Sequence, residues 1–356
     1  MSKILFIGGT GLISTACARL CVERGMELFL LLRGTRDHRA PSQATVLHGD
    51  VKEEPASVRA LLERHTWDVV VDWVAFEEAD VRRDIKLFHG KTKKFIFISS
   101  TSVYQKPLPS PWVDETTPIG NRFWPYAEQK ARCEQVLRSA SQTIGFPAVI
   151  VRPGATYAEF TLPTGIAGMG FGMVERMRAG KPVLLHGDGT GLWTFTCAED
   201  FARAFVPLME LDSVVGQAFQ ITADEVLSWR QIYDIIGEVF GCTPQYVCAP
   251  AQLIHRFDAT LGSSLLGDKS HTYLFNNRKI KQFVPSFTPQ VSLREGLHRC
   301  ERWYRQHRSR VMFDASKDQL LDDIVRHVAQ GLAEVPPASD RPAGHETPVG
   351  AAEDRT

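Results

Sequence analysis

The chain has 356 residues, 44% of them hydrophobic, which is ample for a large buried core. Its 41 Lys and Arg are balanced by 41 Asp and Glu. That balance leaves no basic footprint for a nucleic acid or an anionic membrane surface, and no apolar run is long enough to cross a bilayer.

The first residues, Met1-Ser2-Lys3-Ile4, lead directly into a strand-like segment, so no leader peptide is expected. That segment, "KILFIGG", is a continuous apolar run ending in glycines, as expected of a strand buried on both faces of a parallel sheet. Ile13, Ala16, Cys17, Leu20 and Cys21 then recur at helical spacing, and Gly25 stops the helix. The seven cysteines contain no C-x-x-C pair, and Cys17 and Cys21 read as buried packing. A reducing, cytoplasmic setting fits.

"ELFLLLRG" is a second strand and "ATVLHGDV" a third, followed by a helix over residues 55 to 65. "DVVVDWVAF" is a fourth strand, and Val81, Ile85 and Phe88 mark a helix ended by Gly90. "KKFIFISS" is a fifth strand. A proline-bearing loop then leads to a helix opened by "WPYAEQK", and "FPAVIVRPG" is a sixth strand. Strand and helix alternating in this way predict an α/β fold with a Rossmann-like, doubly wound parallel sheet.

Beyond it the order loosens. "KPVLLHGDG" and "QAFQIT" read as strands, "AEDFARAFVPLMEL" as a helix, and "SWRQIYDIIGEVFG" as a helix opened by a Ser N-cap. The expected organisation is a dinucleotide-binding domain over 1–160, with 181–223 returning to it. A smaller C-terminal substrate domain would be built from 161–180 and 224–310. Residues 335–356 are rich in Pro, Ala and charge, and read as a disordered tail.

"GGTGLIS" sits between strand one and helix one. Gly8 and Gly11 suit a tight turn and the close approach of a pyrophosphate. Thr10, Leu12 and Ile13 carry the chain into the helix N-terminus, where N–H groups and the dipole favour an anion. Ser14 takes the third glycine position, where a small residue suffices. A dinucleotide cofactor is therefore expected. At the end of strand two, where an acidic residue would bind the ribose hydroxyls of NAD, the chain has Arg33-Gly34 and then Arg36. An arginine there can accept a 2′-phosphate, which favours NADP over NAD without excluding NAD. Asp50, with Val51 beside it after strand three, is placed to accept from an adenine amino group, or is a plain turn aspartate.

In "WPYAEQK", Tyr126 and Lys130 lie one helical turn apart behind Pro125, which suits the first position of a helix. The pair is either a solvated helix start or an acid/base phenol whose pKa is lowered by the neighbouring ammonium.

Together, "GGTGLIS", "HGDV", "FISSTSVY", "PYAEQK", "RPGATYA" and "HGDGTGLWTFTCAEDFARA" resemble an extended or atypical short-chain dehydrogenase/reductase of the epimerase/dehydratase kind. The resemblance spans residues 1 to about 307. It implies a Rossmann domain with a small substrate domain, Tyr126 as acid/base, Lys130 as its partner and Ser100 as the third catalytic residue. It further implies that Val74, Ala75 and Phe76 lie along the cofactor and that Pro153 approaches the nicotinamide. The substrate would be a small molecule, a sugar or sugar-like ring that can be nucleotide-linked, with no nucleic-acid or membrane partner and no metal. A homodimer stays open.

Three departures carry information. Nucleotide-sugar dehydratases have Thr-Asp-Glu where this chain has Ser100-Thr101-Ser102, and hydroxyls cannot supply both an acid and a base to a leaving water. The Asn of "RPxNxYG" is Ala155 here. The arginine of "GDGxxxRDF" is Trp193, an indole where an anion partner would stand. Trp112, Arg122, Phe123 and Trp124 border the expected pocket. A dinucleotide- or RNA-binding protein of the same fold is the competing reading, against which the balanced charge argues.

Overall fold

The computed structural model describes residues 2–53 and 56–333. The expected tail at 335–356 lies outside these residues.

Seven strands form one parallel sheet: β1 (Lys3–Ile7), β2 (Glu27–Leu32), β3 (Thr45–His48), β4 (Val69–Asp72), β5 (Phe95–Ile98), β6 (Ala148–Pro153) and β7 (Ala218–Ile221). Their order is β7-β6-β5-β4-β1-β2-β3, and every adjacent pair runs parallel. The direction of winding reverses between β1 and β4, and a ligand crevice opens at such a point, outside the carboxyl ends of the strands.

Side-chain alternation assigns each strand two cores. Ile4 and Phe6 of β1 pack with Cys17, Ala18 and Cys21 of helix α1 (Ser14–Glu23) on one face. Leu5 and Ile7 join the core on the other face, built with helices α2 (Ala56–Glu63), α3 (Glu78–Phe88) and α4 (Pro125–Ile144). Being apolar on both sides, the strands read as continuous hydrophobic runs. Gly25 and Gly90 follow the ends of α1 and α3 with φ of +72° and +74°, the left-handed conformation that glycine adopts without strain.

A second core lies beyond the carboxyl edge. Val183–His186 pairs in parallel with Tyr246–Ala249, and Leu192–Trp193 pairs antiparallel with Leu227–Ser228. Helix α5 (Ala198–Glu210) packs back on the sheet, while α6 (Trp229–Phe240), α7 (Leu293–His307) and α8 (Ala315–Ala333) build the second core. The division of the chain is thus finer than the expected boundaries. Within 181–223, Val183, Leu184, Leu185 and Trp193 belong to the second core, and α5 and β7 to the sheet. Within 224–310, Ile280, Val284 and Phe287 pack against the sheet. Helix α8, which was not anticipated, buries Leu321 and Ile324. It is tied down by Arg176, which pairs with Asp318 and Asp322 at 2.7 Å each. No helix among the described residues is long and apolar enough to cross a membrane.

Candidate active site

A cavity of about 590 Å³ runs along the carboxyl ends of the strands, at the switch between β1 and β4. Its floor is the glycine loop. Gly8 and Gly9 have φ of +88° and +128°. A Cβ on Gly9 would stand 2.8 Å from Leu30 Cδ2, and one on Gly8 3.1 Å from Val74 Cγ1. Only a chain without side chains can make this turn and leave the space above it free for a ligand. Ser14 in the third glycine position accepts a hydrogen bond from the Gly11 N–H at 2.8 Å. Helix α1 has no side-chain N-cap and no acidic residue in its first turn, so its positive end is not neutralised by the helix's own residues. These features fit a dinucleotide pyrophosphate.

The two ends of the cavity differ. At one end lie Arg33, Arg36, Asp37, Asp50 and Val51. The Arg33 side chain is 69% exposed, and its guanidinium is 3.7 Å from the Asp50 carboxylate. Asp37 was missed in the sequence. It stands five residues past β2, and a short helical turn over Asp37–Arg39 brings it back to the cavity. Its Oδ1 is buried without a hydrogen-bond partner. A search for an acid confined to the last residue of the strand could not find it.

At the other end lie Ser100, Tyr126, Lys130 and Pro153, with Trp73, Val74 and Phe76 along the side. Thr10, Leu12 and Ile13 also line the cavity; Ala75 does not, being wholly buried behind it. Ala75 contributes its carbonyl, which accepts from Lys130 Nζ at 2.6 Å, while the Ile98 carbonyl accepts from the same nitrogen at 2.8 Å. The ammonium lies 4.4 Å from the Phe76 ring centroid and 5.9 Å from that of Tyr126. Helix α4 starts at Pro125, with Trp124 as its N-cap residue, so Tyr126 and Lys130 occupy its first two turns. Trp124 packs against the phenol ring at 4.8 Å and Phe76 at 6.4 Å.

Electrostatics here differ from the sequence expectation in one respect. Burial pushes the Tyr126 phenol up to about 12; the Ser100 hydroxyl lowers it, and the Asp268 charge raises it further. The Lys130 ammonium is turned toward the Ala75 and Ile98 carbonyls. Burial pulls Lys130 itself down to about 8, against the opposing charge of Asp72. In the protein alone the phenol therefore holds its proton at neutral pH.

The border residues scatter. Trp112 is exposed, on a two-residue strand paired with Leu274–Phe275. Phe123 lines a separate cavity, and Arg122 lies over the Phe123 ring. Trp193 is buried in the second core, stacked on Trp229 at 5.2 Å, so its indole replaces an arginine with packing. Among the described residues no group of three His, Cys, Asp or Glu side chains is arranged to hold a metal ion.

The profile of the NAD dependent epimerase/dehydratase family matches residues 85–222, which include Ser100, Tyr126, Lys130 and β6. The similarity to this family is confined to that stretch. It is 22% identical over 252 residues to the 2'-dehydrokanamycin reductase of Streptomyces kanamyceticus, which is 70% of each chain. A chloroplast stem-loop binding protein of 41 kDa from Arabidopsis thaliana is 24% identical over 340 residues, 91% of this chain and 84% of that one. A trifunctional Arabidopsis UDP-glucose 4,6-dehydratase/epimerase/reductase is 21% identical over 225 residues; the match covers 61% of this chain but 30% of that longer protein. In structure, the chain superposes on the UDP-glucuronic acid 4-epimerase of Bacillus cereus in complex with UDP-glucuronic acid and NAD, with a TM-score of 0.67 at 20% identity. That match covers 85% of this chain and 99% of the other.

Proposed function

We propose that this protein is an NAD(P)-dependent oxidoreductase or epimerase that transfers hydride at a secondary alcohol or ketone of a sugar or sugar-like ring, free or nucleotide-linked. The observation that carries the reading is that Ser100, Tyr126 and Lys130 stand in the wall of the same cavity whose floor is the glycine loop. A bound nicotinamide dinucleotide would donate or accept the hydride. Ser100 Oγ would hydrogen-bond the substrate oxygen, and the protonated Tyr126 phenol would give its proton to that oxygen as the carbonyl becomes an alcohol. The reverse reaction returns the proton to the phenolate. Lys130 Nζ, which makes two hydrogen bonds to carbonyls, has a third N–H for a ribose hydroxyl.

At the adenosine end two features pull in opposite directions. Arg33 suits a 2′-phosphate, but it is exposed and already near Asp50. Asp37 Oδ1 is buried and lacks a donor, and it would accept from ribose hydroxyls while repelling a phosphate. We take the second feature to favour NAD. The substrate ring remains in the sugar class suggested by the names of the reductase and epimerase relatives. Stem-loop binding, the property in the chloroplast relative's name, finds no electrostatic support here as binding to a nucleic acid, in a chain with 41 charges of each sign.

Denaturing the purified protein and identifying any released dinucleotide tests this reading. Retained NAD supports a cycle in which the cofactor is regenerated in place, as an epimerase requires. Protein that binds neither NAD(H) nor NADP(H) contradicts it.

A further inference from the structure

Behind the cavity wall lies a group of charges that the proposed reaction does not use. Asp72 ends β4 and is wholly buried. Its Oδ1 accepts from the Val74 N–H at 2.6 Å and the Ala75 N–H at 2.7 Å, so it holds the turn that presents Val74 to the cavity and the Ala75 carbonyl to Lys130. Asp84, on α3, is equally buried. Its Oδ1 accepts two hydrogen bonds from Arg83, at 3.0 and 2.8 Å. The second oxygen of each carboxyl, Asp72 Oδ2 and Asp84 Oδ2, is buried and has no donor. The closest guanidinium nitrogen, Arg83 Nη2, is 3.6 Å from Asp72 Oδ2, beyond hydrogen-bond range.

A buried carboxylate oxygen without a donor is costly, and two on neighbouring carboxyls more so. One proton placed between them removes both deficits. We propose that Asp72 and Asp84 share a single proton, as an acid–carboxylate pair, and that this pair is the positioning element for the turn that receives Lys130. Both carboxyls lie against the same guanidinium nitrogen, Arg83 Nη2, at 3.6 Å for Asp72 and 2.8 Å for Asp84; burial first, then the Asp72 charge and a hydrogen bond with Asp72, hold the Asp84 carboxyl well above the usual carboxylate range. The charges around the pair are Arg83 and Asp80 on α3, Lys130 on α4 with the Cys133 thiol beside it, and Lys52 after β3, which pairs with Asp80 at 3.0 Å. Arg83 is shared with Asp80 at 3.0 Å, so it cannot turn fully toward Asp72. The role of the pair in cofactor binding rests on the reading above; its existence does not.

The sign of the pH effect follows from the raised Asp84. Above the ordinary carboxylate pKa the folded protein holds a proton that the unfolded chain releases, so stability falls as pH rises until the pair itself ionises. Asp84→Asn supplies the missing donor permanently, and Asp72→Asn does so from the other side while keeping an oxygen for the two turn N–H groups. Denaturant unfolding of wild type and both variants should be measured from pH 4 to 9. For each variant, the ratio of wild-type to variant unfolding constants should climb with pH by up to about tenfold per unit, then level off. Cofactor affinity of Asp84→Asn at pH 7 should stay within about threefold of wild type, and Asp84→Leu, with no donor, should lose more. A ratio that is flat across the range overturns the proposal whether or not a dinucleotide binds. If neither variant folds, a high-resolution crystal structure of the wild type decides: Oδ2 atoms in direct hydrogen-bond contact support the pair, and a water or cation between them overturns it.

Discussion

At the scale of single residues, the candidate site depends on where Tyr126 and Lys130 put their protons. Tyr126 keeps its own because aromatic packing and burial outweigh the one hydroxyl that favours the phenolate. Tyr126→Phe should therefore retain dinucleotide binding and lose on the order of a hundredfold or more in turnover, the usual scale for a missing general acid or base. Calorimetry and steady-state kinetics read the two separately. Lys130 behaves differently. With its ammonium pulled down to about 8 by burial, binding that needs a charged Lys130 is present below that pH and weakens as pH rises through it. A pH titration of cofactor affinity should show the loss in wild type and not in Lys130→Met, whose affinity is low throughout. At the adenosine end, Asp37→Ala should raise NADP affinity relative to NAD, whereas Arg33→Asp should lower it. Unchanged NAD/NADP ratios in both variants would remove the assignment of that end of the cavity.

Among the elements, those that recur at a regular period were legible and those set by tertiary contact were not. The strands that build the sheet announce themselves because both faces are buried, so "KILFI" and "FIFI" are apolar throughout. The start of α4 was readable from Pro125, and that of α6 from Ser228, whose hydroxyl accepts from the Gln231 N–H while Gln231 returns the bond. Ser228→Ala should cost about 1 kcal/mol, a melting-temperature drop of a few degrees. Gly9→Ala tests the loop: the new Cβ meets Leu30 at 2.8 Å on a backbone with φ of +128°, so a loss of about 1–3 kcal/mol in stability should accompany weakened cofactor binding. The placement of Asp37 was not legible, because it depends on a three-residue turn rather than on a strand end. Nor was the fate of Trp193. A substitution of arginine by an indole reads equally as a new substrate contact or as core packing, and only Trp229 and Tyr273 across the second core decide between them.

For the whole molecule, one sheet carries the cofactor-side residues on its carboxyl edge, and a second core lies beyond that edge. Helix α8 shows how far the second core extends past the stretch that resembles the family. Removing it would strip Asp318 and Asp322 from a wholly buried Arg176, and uncompensated buried charge costs several kcal/mol. A chain ending at 314 should unfold at markedly lower temperature than one ending at 333. Equal melting temperatures for the two would show that α8 adds nothing to the second core. The measurement that bears most directly on the central claim is equilibrium binding of NADH to the purified protein, followed through energy transfer from tryptophan, with Trp73 in the cavity wall as a donor. The account predicts saturable binding that Lys130→Ala weakens by tenfold or more and Tyr126→Phe leaves nearly unchanged. Absence of saturable binding of either NADH or NADPH, or equal affinity in wild type and Lys130→Ala, would contradict it.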